Sequence, residues 1–153
     1  MIKGIGWLAL ALLAASVAIS ACGGGGGGTE QLSKAEFVAR GDQICTRAEA
    51  RKNKALETEF SKMPDPRNEL DRATEEELVI AVALPPIEGM IEELRELPAP
   101  GGQEQRVEEL LASYEDAVAE VRSDPAVAIG GAQPFSAADR LAAGYGFTAC
   151  AQV

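Results

Sequence analysis

The sequence predicts an all-α fold: a small antiparallel bundle of four to five helices with one disulfide, preceded by a signal peptide and a glycine-rich tether. Three observations lead there. Apolar residues recur at helical spacing through most of residues 33–151. Ala is abundant and Thr scarce, and Ala has the highest helix propensity whereas β-branched residues favour strands. Pro and Gly are gathered at a few points that cut the pattern into pieces of helical length. The chain of 153 residues thus divides into a signal peptide over 1–21, a linker over 22–32 that begins at Cys22, and a helical domain over 33–151.

Met1-Ile2-Lys3 supplies a short positive start, and Gly4 to Ala21 is an uncharged run of Ala, Leu, Ile and Val, the layout of a secretory signal. It ends at Val17-Ala18-Ile19-Ser20-Ala21-Cys22. An aliphatic residue, small residues and then Cys behind an apolar run resembles the lipobox of bacterial lipoproteins. The resemblance implies that Cys22 receives a diacylglycerol and becomes the first residue of the mature chain. Three other readings stand beside it. The 18 residues from Gly4 to Ala21 just reach the length of an uncleaved span. Ala18-Ile19-Ser20 could serve an ordinary signal peptidase and release a soluble protein with an unpaired Cys22. A core helix is disfavoured by the six glycines Gly23 to Gly28 that follow. Those glycines with Thr29, Glu30, Gln31 and Leu32 form a tether with an end-to-end distance of about 16 to 19 Å. A phosphate cradle would need spaced glycines and a Lys-Ser/Thr pair, which this stretch lacks.

Ser33-Lys34-Ala35-Glu36 has the form of a capping box and opens the first helix. Phe37, Ile44, Ala48, Leu56 and Phe60 form its apolar stripe, which runs to about Met63, where Pro64-Asp65-Pro66 stops it. Gly41 is its weak point. The next segment, about 67–84, places Leu70, Ala73, Leu78, Ala81 and Leu84 on one side. Pro85-Pro86 kinks or restarts it, and Ile87, Met90, Ile91, Leu94 and Leu97 carry the spacing on to Pro98. The cleanest stripe is Val107, Leu110, Leu111, Tyr114, Val118 and Val121, in a helix over about 103–123. Residues 124–134 are small and unpatterned and are expected to form a loop. A last helix runs from Ser136 to about Gly146, with Ala138, Leu141, Ala142 and Tyr145 expected to be buried.

The aliphatic content is low for so charged a chain, which suggests that the bundle needs further support. An exported chain enters an oxidising compartment. With Cys22 taken by lipid, Cys45 and Cys150 remain, and a bridge between them would close a loop of about a hundred residues, worth roughly 4 to 5 kcal/mol on the chain-entropy model. Two separate buried thiols, or a reactive redox pair, are the alternatives. Redox pairs usually lie close in sequence, as in C-x-x-C.

Ser33-Lys34-Ala35-Glu36-Phe37-Val38, Gly41-Asp42-Gln43-Ile44-Cys45 and the closing Tyr145-Gly146-Phe147-Thr148-Ala149-Cys150 together resemble the small secreted or lipid-anchored helical proteins of high-GC Gram-positive bacteria. Their pattern runs approximately S-K-x-E-F, then D-x-I-C, and closes on Y-G-x-x-x-C; Gly41 stands where Ala is more usual. The resemblance implies a disulfide from the first helix to the C-terminal segment, and it implies no activity.

Composition excludes much chemistry. With no His, histidine bases, Ser-His and Cys-His nucleophile pairs and histidine metal sites are impossible within this chain. The formal net charge of −10 disfavours nucleic acid and anionic lipid headgroups. Glu75-Glu76-Glu77, Glu92-Glu93, Glu108-Glu109 and Glu115-Asp116 are neighbours in sequence that point about 100° apart on a helix and so do not face one another. No catalytic residue, metal ligand or cofactor is assigned. A polar cluster of Tyr145 with Asp42 or Arg140 is expected to be structural. The expectation is a non-enzymatic, acidic module on the extracytoplasmic face of the cell membrane, attached through a diacylglycerol and binding an envelope protein. The second reading is a carrier or sensor of a small apolar ligand held between the helices.

Overall fold

The computed structural model describes residues 31–63 and 70–153. The signal segment, Cys22, the polyglycine run and the Pro64-Asp65-Pro66 stop lie outside the described residues. Among those described the chain is all-helical: α1 (Lys34–Ser61), α2 (Arg72–Leu78), a π turn (Val79–Ala83), α3 (Leu84–Arg95), α4 (Glu104–Ser123), α5 (Ala126–Ile129), α6 (Ser136–Tyr145) and a closing 3-10 turn (Cys150–Gln152). Because α2, the π turn and α3 are continuous, the described residues form five helices.

Helix α1 starts on the capping box read from sequence. The Ser33 hydroxyl accepts from the Glu36 N–H at 3.2 Å, and the Glu36 carboxylate accepts from the Ser33 N–H at 2.9 Å. The Ser33 hydroxyl also donates to the Glu36 carboxylate at 2.6 Å, and this bond, with that from the Ser33 N–H, holds the Glu36 carboxyl below its ordinary range. The helix passes through Gly41 without interruption. Phe37, Ile44 and Ala48 are buried as the stripe requires, but Phe60 is 40% exposed, because α1 is about 42 Å long and its last turns outrun their neighbours.

Pro85 and Pro86 do not restart the second segment, which is continuous; they occupy its first α-helical turn after the π turn. Proline lacks an N–H and its ring collides with the carbonyl four residues back. Widening the preceding turn, so that the Leu84 N–H bonds to the Val79 carbonyl five residues back, relieves this conflict. The widening shifts the register. Of the predicted face, only Leu84 is buried and Ala73 and Ala81 are exposed, while Val79 and Ile80 pack against the core instead.

Helix α4 buries every residue of its predicted stripe, and Ala117 as well. The expected loop over 124–134 contains the short helix α5, started by the Asp124 side chain accepting from the Ala126 N–H. In α6, Ala138, Ala142 and Tyr145 are buried. Leu141 is 44% exposed, because a helix this short contacts its neighbours along one narrow line.

Two helix pairs are antiparallel. Arg47 and Arg51 on α1 both reach Glu93, at 2.8 and 2.9 Å, while the later Lys52 and Leu56 lie beside the earlier Leu84 and Ile87. Between α3 and α4, Arg122 donates to Glu88 at 2.7 Å and Arg95 pairs with Glu115.

Candidate functional site

The C-terminal segment is laid over α1 and fixed there by three devices. Helix α6 ends on Gly146 at φ 117°, where the Phe147 N–H bonds back to the Ala142 carbonyl at 3.0 Å. A left-handed residue here favours glycine. Phe147 then turns onto the start of α1, stacking on Tyr145 at 5.4 Å between ring centroids and packing against Phe37 at 5.9 Å. Gly41 makes room for it: a methyl group at that position would run into the Phe147 ring and come within 3.2 Å of Leu94.

Asp42 supplies the second device. Its Oδ1 accepts from the N–H groups of Thr148 at 3.0 Å, Ala149 at 2.8 Å and Cys150 at 3.3 Å, three donors at the opening of the closing turn. A carboxylate suits a row of unpaired helix-start N–H groups. The third device is the disulfide, with the sulfurs of Cys45 and Cys150 at 2.01 Å. Beneath it the fully buried Tyr114 donates its hydroxyl proton to the Cys150 carbonyl. Burial, then the charges of Asp139 and Asp42, hold the Tyr114 phenol well above its usual range.

The predicted cluster of Tyr145 with Asp42 or Arg140 is therefore not formed. Asp42 is engaged by backbone, and the buried Tyr145 hydroxyl has no hydrogen-bond partner among the described residues. The Lys34 ammonium sits over the Tyr145 ring, 4.8 Å from its centroid. The acidic residues named from sequence are mostly engaged in surface ion pairs or exposed. Among the described residues no group of three or more candidate ligands is arranged to hold a metal ion, and no helix is long and apolar enough to cross a membrane.

What the fold leaves open is a groove of about 520 Å³ beside this clamp. Leu56 of α1, Val79 of the π turn, Leu84 and Ile87 of α3, Val121 of α4 and Phe135 before α6 supply apolar wall. Asp139 of α6 and Lys52 of α1 bring charge to it. A second cavity of about 400 Å³, lined by Asp42, Cys45, Met90 and Thr148 among others, shares Lys52, Ile87, Gln152 and Val153 with the first.

The two charges differ in their surroundings. Lys52 is engaged by the Glu49 carboxylate at 2.6 Å. Asp139 has an Oδ1 atom closed off from solvent with no hydrogen-bond partner among the described residues. Burial holds its carboxyl above the ordinary range, against a backbone hydrogen bond at Val153 and the attraction of Lys52. Sequence reading placed neither residue in a site. The available signal was an acid three positions before the buried Ala142, on the flank of the α6 stripe.

Comparison of the chain with protein-family models, with curated proteins and with solved structures finds no match in any of the three.

Proposed function

We propose that this chain is a binding module of the cell envelope, lipid-anchored at Cys22 on the extracytoplasmic face and seating a small apolar molecule between its helices. The anchor rests on the sequence alone, on the apolar leader ending in Ser20-Ala21-Cys22. The resemblance to exported helical proteins favours the same address. The ligand reading is supported by one observation, the groove of about 520 Å³ with largely aliphatic and aromatic walls. That volume falls within the roughly 300 to 1,000 Å³ of small-molecule sites. Catalysis has no comparable support: Asp139 is the one acidic side chain in the groove's lining, with no second acidic side chain beside it.

The address and the ligand are tested separately. Cells fed radiolabelled palmitate should label the wild type and leave Cys22→Ala unlabelled and released from the membrane; an unlabelled wild type removes the anchor. Thermal unfolding with a panel of small apolar compounds should raise the midpoint for wild type and not for Ala128→Trp, which fills the groove from α5, where Ala128 lines it. A panel that shifts both alike would place binding elsewhere.

A further inference from the structure

We propose that the groove selects an apolar molecule carrying a single protonated amine, with Asp139 as the group that reads the amine. The inference rests on the ligand reading above and adds a chemical class to it.

The argument begins with charge. A carboxylate withdrawn from water is stable only when opposite charge or hydrogen-bond donors replace the lost hydration. Asp139 is incompletely supplied. A backbone hydrogen bond at Val153 helps it, Lys52 acts on it from a distance, and burial still outweighs both. Its Oδ1 has no partner among the described residues.

Lys52 does not complete the pair, because its ammonium is held by Glu49 at 2.6 Å on its own helix and lies 3.5 Å from the Val153 carbonyl. Glu49, which lies outside the groove's lining, balances Lys52, so Asp139 is the charged side chain of the lining left without an ion-pair partner among the described residues. The chain adds a formal net charge of −10, so the surrounding field also favours a cation. A ligand carboxylate would face two acids and one cation that is already engaged. A neutral alcohol gains the apolar wall and no charge term.

The remaining walls set the rest of the ligand. Val79, Leu84, Val121 and Phe135 offer dispersion contact, which suits a hydrocarbon body, while Gln133, Ser136 and Gln152 are the uncharged polar side chains of the lining. The groove is partly open to solvent, and an ammonium a few ångströms from the half-buried Asp139 is attracted as charge to charge, with partial screening by water. The interaction does not depend on contact with the sealed oxygen.

The test is calorimetric titration of the full-length, disulfide-intact chain in a non-ionic detergent, with detergent-only blanks. The probes are 4-phenylbutylamine, 4-phenylbutan-1-ol and 4-phenylbutyrate, which share a body and differ in head group. The amine should bind one to one and about tenfold tighter than the alcohol, and the butyrate weakest. Asp139→Asn should bring amine and alcohol to within about twofold of each other, and Ala128→Trp should abolish binding of both. In the wild type the Asp139 side-chain carbon resonance should move toward its ionised position when amine is added. Equal affinity for amine and alcohol, an amine preference that survives Asp139→Asn, or an unmoved Asp139 resonance would overturn the inference while leaving the groove as a ligand seat. Absence of binding by all three probes would remove both.

Discussion

Asp42 joins parts of the chain more than a hundred positions apart, and it does so with one carboxylate and three backbone N–H groups. Nothing near Asp42 in sequence announces this; the donors come from a turn whose position depends on the whole bundle. Asp42→Asn keeps the shape and removes the charge. Because charge-assisted hydrogen bonds contribute about 1.5 to 3 kcal/mol, the change should cost about 1 to 2 kcal/mol in urea unfolding. Amide exchange should accelerate at Thr148, Ala149 and Cys150 before it does elsewhere. Gly41 carries a second local expectation. Helix propensity alone favours Gly41→Ala by about 1 kcal/mol, while overpacking against Phe147 and Leu94 costs about 1 to 3 kcal/mol. The collision is with an aromatic ring itself held by Phe37 and Tyr145, so the variant should be less stable than wild type in the same measurement. Read from sequence, Gly41 was a flaw in a helix; its use becomes visible only when Phe147 is laid against it.

Asp139 gives a pH dependence with a definite sign. Its carboxyl is raised in the folded state, so the native protein holds the proton more firmly than the unfolded chain does. A raised acid costs nothing below its unfolded pKa, near 3.8, and its penalty grows as pH rises through the folded value. Asp139→Asn should therefore be more stable than wild type at pH 7, and the difference should shrink toward zero as pH falls to about that of a free carboxyl. Lys52, Glu49 and Tyr114 stand close by and are present in both proteins, so the comparison isolates Asp139. A difference that grows on acidification would reverse this assignment.

Among the elements, α4 was fully legible and the second segment was not. The α4 stripe has no Pro or Gly within it, so an undisturbed period of 3.6 residues predicted each buried position. The prolines of the second segment were visible too. Their consequence was not, because an added residue in a π turn rotates everything before it relative to everything after it. A helical wheel drawn through Leu78 and Leu84 therefore misplaces one end. Between α3 and α4, the pairs Arg122–Glu88 and Arg95–Glu115 are exposed on at least one side, where ion pairs contribute about 0 to 1 kcal/mol. Glu115→Gln should lower stability by less than about 1 kcal/mol, and by less still in high salt, when unfolding is followed at two ionic strengths. A larger, salt-independent loss would mean that Glu115 positions the helix pair.

For the molecule as a whole, the fold class and the partners of its one bridge followed from patterning and from cysteine arithmetic, both of which act at long range with few residues. The groove did not, since its wall is drawn from α1, the π turn, α3, α4 and α6, and no local pattern joins them. The Cys45–Cys150 bridge spans 105 positions, and removing it as Cys45→Ala with Cys150→Ala should cost about 4 kcal/mol on the chain-entropy account. Differential scanning calorimetry should show a large fall in midpoint, with Phe147 and Tyr145 losing their packing together with the clamp.

The bridge also decides how the protein bears mechanical load. It ties the twelfth residue of α1 to the first residue of the closing turn, so the bundle between them is a covalent ring. A pull entering ahead of α1 and leaving beyond Cys150 travels through the short arm from Ser33 to Cys45, crosses the sulfurs and departs. Helices α3, α4 and α6 feel none of that tension directly. In a force-extension experiment the oxidised chain should lengthen only by its two short arms, and the ring should begin to pay out only after reductant is added.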